Sequence, residues 1–317
     1  MPQQTTSQAR VIDPILSEVA RGYAYDRAKV ASYLFPIVPV SARAGKIIEF
    51  DASDFQIVNS VRAPGANTKR VQFGHAGKDF ALIDRSLEGS VPTELAQEAD
   101  AVPGLDLGRR AIRSVQNMME IEREKEAADL ARLAGNYPSG NTVTLTGTSQ
   151  WSDPASNPRG DIKDAREAVR QKIGRRPNTL VLGPKVAGDL LMHVDILDAL
   201  SSNTLKVATL DDLRRVLDIE NIVVGDAQYW DPSLNSGAGG FVDVWGKDAI
   251  LAYTDAASMQ EGGSPAYGYT YQLEGYPVVE EPYYDRNTKT WYYPVTDSRR
   301  PVLAGAIAGF LIKGAAA

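Results

Sequence analysis

Between Pro265 and Val295 the chain reads PAYGYTYQLEGYPVVEEPYYDRNTKTWYYPV, which holds eight of its fourteen tyrosines and a tryptophan but no histidine and no cysteine. So much aromatic surface with so little reactive chemistry serves either a ligand cage or a rigid framework of strands. Tyr267, Tyr269, Tyr271 and Leu273 fall on one side of an extended segment, with Gly268, Thr270, Gln272 and Glu274 on the other. That period of two predicts a half-buried strand. Gly275 permits a turn, and Asp285 to Lys289 is a polar loop between two aromatic runs, as a hairpin requires. Pro277 and Pro282 remove ladder donors, which makes the middle segment an edge strand or irregular. Tyrosine suits such a sheet because the ring fills volume while the hydroxyl reaches a partner. The framework reading is the more economical of the two.

The rest of the chain supplies the body for this sheet. The first forty residues read as an arm, with Asp13 and Pro14 opening a short helix through Val19 and YLFPIVPV exposing apolar groups that a partner must cover. Two extended runs, KIIEFDASDFQIVNSV and KRVQFGHAGKDFALIDRS, flank RAPGANT and predict a long hairpin that projects from the body. Its Lys46, Asp51, Asp54, Arg62, Lys69, Arg70, Lys78 and Asp79 would meet charges on a neighbour. Leu105 to Leu133 contains no proline, carries Ile112, Val115 and Met119 as an apolar stripe, and stops at Gly135-Asn136. Its second half, EIEREKEAADL, reads as a solvated face with Glu120/Arg123 and Glu122/Lys125 pairs.

From about Trp151 to Tyr253 a separate α/β lobe is expected. Asp161 to Ile173 is an amphipathic helix closed by Gly174, NTLVLG is a buried strand, and Pro184 starts another helix through Leu191. Thr209 with Asp212 forms a capping box, and NIVVG, GFVDVW and DAILAY are further strands, with SLNSGAGG as a surface loop. Apolar residues at both parities from Pro301 to Ile312 predict a strand covered on both faces.

Composition narrows the function classes. A chain of 317 residues with 43% hydrophobic and 23% charged residues can bury a substantial core. Without cysteine there are no disulfides, no thiol catalysis and no zinc–thiolate site. A net charge of −6 argues against coating nucleic acid. No signal peptide or membrane span is legible. Phosphate-binding glycine loops and the G-x-S-x-G elbow are absent from the sequence. His193 reads as a helix-end residue with a satisfied hydrogen bond and His75 as an exposed hairpin residue. Asp211-Asp212 and Glu280-Glu281 read as turn or capping carboxylates, and Arg299-Arg300 is weak evidence for a phosphate site. No catalytic, cofactor-binding or metal-binding residues are expected.

The order of parts, with PNTLVLGPKVAGDLLMHVDILDAL, IENIVVGDAQY, VDVWGKDAILAYT and YGYTYQLEGYPVVEEPYYD, resembles the major capsid proteins of tailed bacteriophages, whose fold is shared with the herpesvirus capsid floor. The resemblance covers nearly the whole chain. It implies an α+β, tailed-phage capsid fold: an N-terminal arm (1–45), an extended β-hairpin loop lying across a neighbour (46–85), a peripheral domain in two parts (86–150, with a spine helix over 105–134, and 256–317), and an inserted α/β axial domain (151–255). The implied function is a shell of pentamers and hexamers enclosing double-stranded DNA without reading its sequence, with no enzymatic activity. Arg62, Lys69, Lys78, Glu122 and Arg123 are the expected inter-subunit contacts. The partners implied are further copies of the chain, a separate scaffolding protein (since the arm begins near Met1), a portal and a decoration protein, with assembly in the host cytoplasm and a final place in the virion. Family members that crosslink join a hairpin lysine to a neighbour's asparagine; Lys46, Lys69 and Lys78 stand in the right region, but crosslinking is not expected here. An encapsulin-type nanocompartment shell, and a soluble α/β ligand-binding protein or enzyme, are the alternatives.

Overall fold

The computed structural model describes residues 29–48, 57, 60–62, 67–68, 77–100, 106–200, 208–255 and 265–317. The expected helix over Asp13 to Val19, His75 and most of the hairpin beyond its base lie outside the described residues. The first element is a single turn, α1 (Ala31–Leu34), followed by β1 (Ile37–Val40), β2 (Ala44–Ile48), β3 (Gly77–Ala81) and β4 (Ile83–Pro92). A short helix α2 (Thr93–Asp100), absent from the sequence expectations, precedes the long α3 (Leu107–Arg132). Then come β5 (Thr142–Thr144), α4 (Pro158–Ile173), β6 (Thr179–Leu182), α5 (Pro184–Met192), α6 (Val194–Ala199), α7 (Leu210–Leu217) and β7 (Asn221–Val224). A ribbon of β8 (Gln228–Asp231) and β9 (Gly240–Asp243) encloses a helical turn α8 (Leu234–Gly237), where the sequence suggested only a loop. The chain closes through β10 (Ala249–Ala252), β11 (Gly268–Leu273), β12 (Val278–Val279), β13 (Tyr283–Asp285), β14 (Thr290–Leu303) and β15 (Gly309–Lys313).

Local chemistry sets the helix ends. The Asp106 side chain accepts from Arg109 N and starts α3. Asn157 caps α4, Pro158 occupies its first turn, and Gly174 ends it at φ 70°, a left-handed conformation that glycine adopts without Cβ strain. Thr209 and Asp212 form the expected reciprocal box at α7.

Two sheets organise the molecule. In the six-stranded sheet β14 is the hub: β11 and β12 pair with it, as do β4 over ten residues and β13 through the Asp285–Lys289 turn, while β1 adds to β11 in parallel. The two-residue β12 lies at the end of the strand order, as its flanking prolines require. The second sheet runs β5-β15-β10-β6-β7, and its strands β6 and β10 are buried at every position. The segment from Pro301 to Ile312 is therefore not one strand. β14 ends at Leu303, a short turn over Ala306–Ala308 intervenes, and β15 continues in the other sheet, where Gly309 to Ile312 are indeed buried on both faces.

Helix α3 joins the two cores. Ile112, Val115 and Met119 pack with Val279 and Val295 of the first sheet. Ala127, Ala128 and Ala131 belong to the larger core that contains Trp151, Leu180, Ile250 and Leu311. The buried stripe thus continues through the charged half of the helix, including Arg123 and Glu124, so this half is not simply a solvated face. The same sheet corrects the reading of β11. Gly268 to Tyr271 are all buried, so the strand is covered on both faces there and half-exposed only at Gln272 and Leu273. Residues opposed across an antiparallel pair share a face. Tyr271 opposes Arg300, Tyr269 opposes Val302, and Gln272 opposes Arg299. Gln272 and Arg299 meet α3 through the ion network described below, so Tyr269 and Tyr271 point away from it. Their rings pack with Phe80 of β3, with Tyr271 and Phe80 stacked at 4.3 Å between centroids. The tyrosine face clamps the base of the β2–β3 hairpin, where Gly45 opposes Phe80 and lies against its ring.

Candidate functional site

The sheet–helix contact carries a charge-balanced buried network. Arg299, 2% exposed, pairs with Asp297 at 2.9 Å, lies 3.7 Å from Glu120, and donates to the Met119 carbonyl. Glu120 pairs in turn with Arg123 at 2.9 Å, the i,i+3 pair expected from the sequence. Gln272 donates to Asp297 at 2.8 Å. Two guanidiniums thus face two carboxylates, and a charge removed from such a set leaves its partner buried and uncompensated. Arg299 is committed inside the subunit rather than to a phosphate, while exposed Arg300 donates to the Ala81 carbonyl at 3.3 Å.

A second polar contact anchors the start of the described chain. The carboxylate of Glu124, 1% exposed, accepts from Ala31 N at 2.6 and 2.9 Å and from Val30 N. These are the unpaired donors at the N-terminus of α1. Burial raises the Glu124 pKa to about 7, against the lowering effect of the two backbone donors and of Arg123. At the far end of α3, Arg132 donates to Asp248 at 2.7 Å and to the Val244 carbonyl, and Asp248 accepts from Gly314 N, which ties the helix to the second sheet.

The expected contact residues fall in different places. Arg62 is exposed, whereas Lys69 and the side chain of Lys78 lie outside the described residues. Glu122 is exposed but sits 3.3 Å from Arg85, whose guanidinium also bonds Glu126. Lys125 pairs with Asp129 at 2.7 Å instead of with Glu122. Arg123 is buried at 3% and engaged in the internal network, so its charge does not reach this chain's surface.

His193 and three buried tyrosines serve the fold. His193 is buried; its Nδ1 accepts from Asp195 N to cap α6, and Nε2 lies 3.1 Å from the Asp153 carbonyl and 3.0 Å from Ser156 Oγ. Tyr137 and Tyr267 share a 2.6 Å hydroxyl contact, and burial raises both phenols. Tyr271 is pushed up to about 12 by burial. Among the described residues no group of three His, Asp or Glu could hold a metal, and no helix is long and apolar enough to cross a membrane.

Sequence reasoning missed Glu124, Arg85 and the exposed aromatic pair Trp230 and Phe241. For Glu124 the signal was present: Ala127, Ala128 and Ala131 extend the stripe of Ile112, Val115 and Met119 past it. For Arg85 the signal lies in partners remote in sequence, and for Trp230 and Phe241 in the register of the β8–β9 ribbon.

No family model matches the chain. The major capsid protein of Burkholderia phage BcepMu is 34% identical over 315 residues, which covers 97% of this chain and 98% of that protein. The crystal structure of a phage-related protein from Bordetella bronchiseptica RB50 matches with a TM-score of 0.80 and 38% identity, covering 97% of this chain and 99% of that one. The capsid of Myoviridae phage XM1 shares the fold at a TM-score of 0.54 and 10% identity, with 99% of each chain covered.

Proposed function

The chain belongs to the family of phage major capsid proteins, and from that premise we propose that its copies assemble into pentamers and hexamers that close an icosahedral shell around double-stranded DNA. The observation that carries this reading is the 34% identity with a major capsid protein along almost the entire chain. The capsid name on that relative favours a phage shell over an encapsulin-type compartment. Residues 1–45 act as an arm whose Ala31 to Val40 part, contrary to the expectation of uncovered apolar groups, is seated in this chain's own core and sheet. Residues 46–85 act as the loop laid on a neighbour, 105–134 as the spine and 151–255 as the unit gathered around the symmetry axes, with 86–150 and 256–317 forming the peripheral plate. Arg62, Lys69, Lys78 and Glu122 contribute contacts between copies.

The physics of the subunit supports it. Ring contacts are heterologous, one face of each copy meeting a different face of the next. Long extensions add area, and obligate contacts bury on the order of 2,000–5,000 Å². An acidic subunit, with net charge −6, avoids tight salt-sensitive adhesion to enclosed DNA. A scaffolding protein, a portal and a decoration protein are the further partners in this reading, with assembly in the host cytoplasm and no catalytic step. The test is electron microscopy and sedimentation of the purified chain, alone and with its scaffold. Capsomers, shells or tubes are expected; a monomer at micromolar concentration across several salt conditions, scaffold included, would sink the proposal.

A further inference from the structure

The β8–β9 ribbon presents one face to the body and one to solvent. Tyr229 lies under Lys125 of α3, whose Nζ is 5.5 Å from the ring centroid. On the other face, Trp230 opposes Phe241 and Gln228 opposes Asp243. The two rings meet edge to face at 5.1 Å between centroids, yet Trp230 is 54% and Phe241 68% exposed. The indole is held in place from beneath. It lies on Gly239, at φ 78°, where a Cβ would come within 2.3 Å of the ring. Immobilised aromatics lose little freedom on binding and make good interface anchors. On the solvent face the nearest charge in the ribbon is Asp243, two residues from Phe241, and no lysine or arginine lies between residues 226 and 243.

A cavity of about 350 Å³ elsewhere on the same chain has the complementary character. It opens between α4, α6 and α7, with half-buried Val216 and the edges of buried Ile162 and Leu217 as a small apolar floor, Arg159, Lys163 and Arg166 as cations, and Asp195 as a carboxylate in the same wall. Arg159 is shared with Asp195 at 3.4 Å and Arg166 with Asp218 at 2.8 Å. Lys163 is exposed and has no ion-pair partner among the described residues. The ribbon and the cavity share no residue, which is what a head-to-tail contact requires.

We infer that the Trp230–Phe241 pair of one copy inserts into the Ile162–Val216–Leu217 cavity of the next, with Asp243 meeting Lys163. This rests on the assembly reading above and names one of its contacts. The partner is a second copy of this chain, because an aromatic knob beside Asp243 and a cavity with a small apolar floor and a cationic rim occur together on one molecule.

The experiment compares the parent with Trp230→Ala, Lys163→Asp, Asp243→Lys and the double variant Lys163→Asp/Asp243→Lys, each checked for fold by circular dichroism. The readout is the concentration at which capsomers appear by sedimentation. Each single variant should raise that concentration at least about tenfold, the effect of losing 1.4 kcal/mol at an interface. The double variant should return it to within a few-fold of the parent. If the parent assembles and the folded single variants assemble equally well, this contact is wrong while the assembly reading stands. Impaired single variants with no recovery in the double variant also overturn it, since the ribbon would then be meeting some other surface. A parent that never assembles overturns the assembly reading instead.

Discussion

Glu124 carries an ionisable group where burial and hydrogen bonding act in opposite directions. Its folded-state pKa of about 7 lies above the ordinary 4.5, so the folded chain retains a proton that the unfolded chain releases in that interval. Its contribution to stability is therefore fully present below about 4.5, declines as pH rises, and is constant above about 7. Glu124→Gln keeps an oxygen for the Val30 and Ala31 donors without the titration. Relative to the parent, its thermal midpoint should rise as pH goes from 5 to 8. A pH-independent difference would show that the carboxyl does not titrate in this window. Glu124→Ala leaves buried donors unpaired and should cost about 1–3 kcal/mol at pH 5, with the cost shrinking towards pH 8 as the parent loses its own Glu124 contribution. Thr209, Asp212 and the capping nitrogen of His193 act through neighbours within a few residues, and those roles were legible in the sequence. Glu124 and Arg299 act on groups more than ninety residues away; the apolar stripe marked Glu124 as buried, but the partners of both were not legible.

Strand β11 decides between framework and cage. Tyr269 is 6% exposed, packs with Tyr271 and Phe80, and donates to the Asp255 carbonyl at 3.3 Å. Tyr269→Ala should cost about 3–5 kcal/mol as a large aromatic truncation. Tyr269→Phe should cost on the order of 1 kcal/mol, for the hydroxyl contact alone. Thermal or denaturant unfolding of both variants, assembled and unassembled, gives the ranking. A Tyr269→Ala protein that unfolds like the parent in both states would remove the framework reading. Periodicity and proline placement revealed the strand, its turn and its edge neighbour. They did not reveal that its far face is also covered, because that depends on Phe35, which Gly268 admits within van der Waals reach.

At the scale of the molecule, α3 spans two cores and the β2–β3 hairpin leaves the body from a clamped base. The Phe80–Tyr271 stack and the β2–β3 pairing hold that base without the tip. Deleting about Ile57 to Gln72 should therefore leave both cores folded while closed shells no longer form. Circular dichroism and electron microscopy of the deletion variant measure the two effects separately. Loss of the fold would place the segment in the core and refute the projecting-loop architecture.

The sequence alone determined the α+β class, the long helix, the capped helices of the α/β part, the tyrosine strand with its hairpin, and the membership that the order of parts suggested. These rest on short-range rules: caps, prolines, turn residues and alternation act over a few positions. Only the tertiary structure decided which face of β11 meets α3, how β14 gathers four strands, where Pro301 to Ile312 divides between two sheets, and which charges of EIEREKEAADL are buried. Each of those depends on which remote surface excludes water from a given side chain. A charged residue on a helix reads the same in sequence whether solvent or an opposing guanidinium faces it, and burial in the folded chain is what separates the two.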